Sequence, residues 1–63
     1  MMIVCNDNVT VDVVGNVITT SNGDIYNLAG LVLFKNGSMI SMNVSSIDAA
    51  VGIVIGAHGG RKL

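Results

Sequence analysis

The residues able to do chemistry are few and scattered along the chain. Cys5 is the only cysteine, His58 the only histidine, and the acids are Asp7, Asp12, Asp24 and Asp48, with no glutamate. A thiol and an imidazole form a nucleophile and base only when the fold joins them, and the sequence shows no obvious third group to orient His58. A buried, inert Cys5 is the better expectation. Asp7 and Asp24 stand in turn-forming contexts, where a carboxylate bonds to nearby backbone. One cysteine cannot close an internal disulfide, and one Cys with one His cannot complete a structural zinc shell. No catalytic residue, metal ligand or cofactor is therefore assigned, and a non-enzymatic protein is expected.

Residues 56–62, GAHGGRK, have the look of a phosphate loop. Such a loop works by aiming the amides of a following helix at the anion, and a Walker-type loop needs Ser or Thr after its lysine, where Leu63 stands. A glycine-rich tail over residues 57–63 is expected instead, following a single β domain over residues 1–56. Lys35, Arg61 and Lys62 are the only cations, and Tyr26 and Phe34 the only aromatics. Single-strand binders join a basic groove to stacking aromatics, and one copy of this chain has little of either. Lys35, His58, Arg61 and Lys62 are the candidate anion or nucleic-acid contacts, with the net charge of −1 opposing a global attraction.

The elements that would position these residues read as strands. Residues 9–14 alternate, with Val9, Val11 and Val13 on one side and Thr10 and Asp12 on the other. Gly15-Asn16 suits a two-residue hairpin loop returning into the β-branched residues 17–20. Residues 2–5 add a short edge strand before the Asn6-Asp7-Asn8 turn. Residues 24–35, DIYNLAGLVLFK, hold the longest strand-forming run, with Asn22-Gly23 before it and Asn36-Gly37 after it. Two-residue type I′ turns at those pairs make 24–35 a central strand with an antiparallel neighbour on each side. Ala29-Gly30 marks a bend within it. Ser45 to Ala50 predicts one helical turn, and the alternation of Val51, Ile53 and Ile55 with Gly52, Val54 and Gly56 a closing strand. The fold class is then all-β, a five- to six-stranded antiparallel meander curling into a small barrel or SH3-like roll. The order of elements resembles that of SH3-like barrels, the ring-forming Sm-like ones included. No residue motif of those families is present, and no family is assigned.

Register arithmetic sorts the side chains, because a one-residue slip exchanges the two faces of a strand. Ideal two-residue loops put Val11, Val13, Ile18, Ile25, Ala29, Leu31, Leu33, Met42 and Val44 on the core face. Val14, Val17, Tyr26, Leu28, Val32, Phe34 and Met39 fall on the other. The latter set is apolar where a solvated face should be polar, so these residues are the candidate oligomer or partner interface.

Composition supports that reading. The chain is 51% hydrophobic and 11% charged, against about a quarter charged in an ordinary soluble domain. A domain of this length buries only about 60% of its unfolded surface, and association is the stabiliser left once disulfide and metal are excluded. A homo-oligomer, with a further protein partner as a lesser expectation, follows. No apolar run approaches the roughly 18 residues of a helical span, so no membrane partner is expected. The start, MMIVCNDN, lacks a basic segment ahead of an apolar one. With a free thiol, that makes a reducing cytoplasm the expected location.

Overall fold

The computed structural model describes residues 1–60. Six strands run in sequence order as one antiparallel meander, followed by a helix: β1 Met2–Val4, β2 Thr10–Val14, β3 Val17–Thr20, β4 Ile25–Ala29, β5 Val32–Lys35, β6 Ser41–Asn43 and α1 Ile47–Ala57. The sheet is open. β1 and β6 are its edges, and among the described residues no strand closes it into a barrel.

The β2–β3 hairpin has the expected register, with Val14 opposite Val17, Val13 opposite Ile18 and Val11 opposite Thr20. Gly15, at φ 59, takes the first central position of its two-residue loop, as a type II′ turn requires. The expected long strand over 24–35 is instead a second hairpin. Ala29 pairs with Val32, and the chain reverses at Gly30-Leu31, again with glycine (φ 62) at the first central position. The glycine anticipated as a bend makes a full reversal, because a positive φ there matches the twist of both flanking strands.

A second correction concerns the loop between β3 and β4. Thr20 rather than Ser21 closes it: the Thr20 N–H donates to the Asp24 carbonyl, the Gly23 N–H to the Thr20 carbonyl, and Gly23 sits at φ 100. This is a three-residue loop with a left-handed glycine, the next commonest hairpin connection after the two-residue turns. The Thr20 hydroxyl fixes it, accepting from the Asp24 N–H at 3.0 Å and donating to the Asn22 side chain. The register moves by one, so Ile18 faces Tyr26 and Val17 faces Asn27. Tyr26 and Leu28 consequently turn to the core side, while Ile25, Asn27 and Ala29 turn away from it. The β5–β6 loop is longer than expected by an even number of residues, pairing Leu33 with Met42, so those faces are kept.

The third correction is α1. The expected helical turn and closing strand form a single helix of 11 residues. Its buried residues are Ala50, Val51, Val54 and Ile55, a spacing of i, i+1, i+4, i+5 that one helical stripe satisfies. The Ser46 side chain caps it, accepting from the Ala49 N–H at 3.1 Å, and Asp48 lies in the first turn, where a negative charge is favourable. At the other end the Gly60 N–H donates to the Ile55 carbonyl and the Gly59 N–H to the Gly56 carbonyl, with Gly59 at φ 70. That is a Schellman stop. The helix buries its stripe against Cys5, Val11, Ile18, Leu33 and Val44, which together form the core.

Candidate functional site

Helix α1 covers one face of the sheet and leaves the other bare. The bare face is built in rows across the strands. Val14, Val17, Asn27, Phe34 and Ser41 are successive cross-strand partners, and Met2, Asp12, Thr19 and Ile25 form the next row. Ala29, Val32 and Asn43 form a third. Met2, Val4, Val14, Val17, Ile25 and Phe34 are all exposed, Val14 to 70% and Phe34 to 43% of their surface. Asp12 is the single charged residue in these rows, and its Oδ1 lies 3.9 Å from the N-terminal amine.

Four of the seven interface residues expected from sequence, Val14, Val17, Val32 and Phe34, meet on this face. Tyr26 and Leu28 do not: the one-residue register change puts them on the helix side, packed against the core. Met39 stands at the β5–β6 loop, fully exposed and off the sheet. Met2, Val4 and Ile25 were missed. The signal for Met2 and Val4 was their same-side alternation about Ile3. Nothing in sequence distinguishes the three-residue loop that exposes Ile25 from the two-residue one that would bury it.

On the helix side, the sheet continues past α1 as a shallow groove lined by Tyr26, Leu33, Lys35, Ile40, Met42 and Ile53. The Lys35 amine sits 5.9 Å from the Tyr26 ring centroid and 3.8 Å from Asp24 Oδ1. The candidate anion contact at Lys35 is thus already engaged by an acid and a ring. Arg61 and Lys62 lie outside the described residues.

His58 is also engaged. Its Nδ1 is 2.7 Å from Asp7 Oδ2, and the Asn6 amide donates to the Gly59 carbonyl. These contacts clasp the β1–β2 turn to the end of α1. The desolvation of Asp7 acts to raise its pKa, but the hydrogen bonds from His58 and the Val9 N–H, with the charge of His58, outweigh it and hold the carboxyl below its ordinary value. The orienting group for His58 that sequence did not supply is therefore Asp7. The Cys5 thiol is buried, and among the described residues no hydrogen bond joins it to His58. The expected tail boundary at 56/57 falls inside the last turn of α1, and residues 58–60 are the helix stop. Among the described residues no group of three or more His, Cys, Asp or Glu side chains could hold a metal ion, and no helix is long and apolar enough to cross a membrane.

No protein-family model, curated protein or solved structure matches the chain.

Proposed function

We propose that this protein is a non-enzymatic assembly unit whose bare sheet face packs against the same face of a second copy, serving as a structural subunit, adaptor or inhibitor. The observation that carries the reading is the exposed row of Val14, Val17 and Phe34 flanked by Met2, Val4 and Ile25 on a face with one charge. Two such faces stack about 10 Å apart in sandwiches, with the twist of each sheet setting a small angle between strands. An isologous contact requires self-complementarity, and the row offers Val14, Val17 and Phe34 for apolar contact with Asn27 and Ser41 between and beside them for hydrogen bonds.

Light scattering at micromolar concentration tests this. An oligomer is expected for the natural chain and dissociation for Phe34→Asp, with the fold kept because Phe34 makes no part of the core. A natural chain that is monomeric, or a Phe34→Asp variant that stays assembled, overturns it.

The alternative, an SH3-like or Sm-like ring binding nucleic acid or a small anion, keeps only the antiparallel meander in its support, since α1 stands where its closing strand was expected. Tyr26 and Phe34 lie on opposite faces and make no common stacking platform, and Lys35 is paired with Asp24. Steeply salt-dependent oligonucleotide binding would favour it over assembly.

A further inference from the structure

We propose that Asn36 is a site of spontaneous deamidation in the folded protein, and that the fold protects the second Asn-Gly pair, Asn22-Gly23, from the same reaction. The chemistry needs the backbone nitrogen of the following residue to reach the asparagine Cγ. Glycine, lacking Cβ, leaves that nitrogen unhindered. The amide nitrogen of Gly37, on losing its proton to base, attacks Asn36 Cγ and closes a five-membered succinimide, while the side-chain nitrogen leaves as ammonia. Water then opens either of the two imide C–N bonds, giving aspartate or isoaspartate at position 36. The net change is one water consumed and one ammonia released, with no oxidant or co-reactant.

The two pairs differ in the groups this reaction uses. At the β3–β4 loop the Gly23 N–H donates to the Thr20 carbonyl at 3.0 Å, and the Asn22 side-chain oxygen accepts from the Thr20 hydroxyl. Thr20 is itself buried and tied to Asp24. Attack there must first break both bonds and unpick the loop that sets the β4 register. At the β5–β6 loop the Asn36 N–H donates to the Ile25 carbonyl, and the next bond is made by the Ser38 N–H. Among the described residues, neither the Gly37 N–H nor the Asn36 side chain has a hydrogen-bond partner. All five residues from 36 to 40 are exposed. The remaining asparagines are followed by Asp7, Val9, Val17, Leu28 and Val44, whose side chains crowd the attacking nitrogen.

The modification adds a negative charge beside Lys35, taking the formal net charge of −1 one unit lower, and isoaspartate inserts an extra backbone carbon between β5 and the edge strand β6. The test is timed incubation of the full chain at mildly alkaline pH, followed by peptide mapping by mass spectrometry and an isoaspartyl methyl-acceptor assay. In the folded chain, conversion at Asn36 is expected to outrun that at Asn22 several-fold, and Asn36→Gln to abolish the main acidic species seen by isoelectric focusing. In denaturant, where both pairs are unstructured, the two rates should converge. Equal rates in the folded chain, faster loss at Asn22, or no conversion at Asn36 overturns the proposal. A several-fold bias that persists in denaturant does so too, because the difference would then belong to local sequence and not to the fold.

Discussion

Gly60 shows how tightly the helix stop is packed between Ile55 and Cys5, the residue after β1. A Cβ added there would lie 2.7 Å from Ile55 Cγ2 and 3.2 Å from Cys5 Sγ. Ile55 is fully buried and stiff at χ1, so it cannot swing aside. Gly60→Ala should destabilise by about 1–3 kcal/mol, the usual cost of overpacking, read as a lowered urea midpoint; an unchanged midpoint would mean the helix stop is not seated on Cys5. The Asp7–His58 contact beside it makes a different prediction, one in pH. Because the folded pKa of Asp7 lies below its ordinary value of 3.8, its contribution is complete above that value and is lost as pH falls through the lowered one. Asp7→Asn should therefore be less stable than the natural chain at neutral pH, with the gap closing in acid. A gap that is the same in acid and at neutrality would assign the loss to something other than the ionised carboxylate.

At the scale of elements, what was legible in the sequence depended on how far its signal was local. β2 and β3 were readable in full, since strict alternation and a Gly-Asn loop both act within a few residues. The β3–β4 register was not, because a two-residue and a three-residue turn at Asn22-Gly23 differ only in whether Ser21 or Thr20 closes the loop, and the Thr20 hydroxyl decides it through Asn22 and Asp24. That one residue moved Tyr26 and Leu28 off the candidate surface and brought Ile25 onto it. α1 was misread as turn and strand because Val51, Ile53 and Ile55 fit a period of two, and valine and isoleucine prefer strands. Tertiary burial of Ala50, Val51, Val54 and Ile55 overrode that preference, and Gly59-Gly60, read as a tail, is the helix stop. Gly52 and Gly56 test the assignment directly, since nothing lies within 4 Å of a Cβ placed on either. Gly52→Ala and Gly56→Ala should each stabilise by about 0.5–1 kcal/mol, raising Tm by roughly 4–8 °C per kcal/mol in a domain of this size. A fall in Tm for both would place these residues outside a helix.

For the whole molecule, the deciding quantity is whether stability depends on concentration. A sheet of six strands with one helix has one layer of core, and among the described residues nothing covers the second face of the sheet. If a second copy covers it, unfolding and dissociation are linked, so each tenfold rise in protein concentration adds about 1.4 kcal/mol to the stability of the dimer. Tm should then climb with concentration. Phe34→Asp places a charge on the bare face in place of its one exposed aromatic side chain, where a buried, unpaired carboxylate costs several kcal/mol in the assembled state but nothing comparable in a monomer with that face in water. The variant should lose the concentration dependence while keeping the far-ultraviolet circular dichroism of the natural chain. The two signals separate the possible failures. A variant that loses its dichroism implicates Phe34 in the fold itself. A natural chain whose Tm ignores concentration leaves the bare face to solvent, and the assembly reading falls with it.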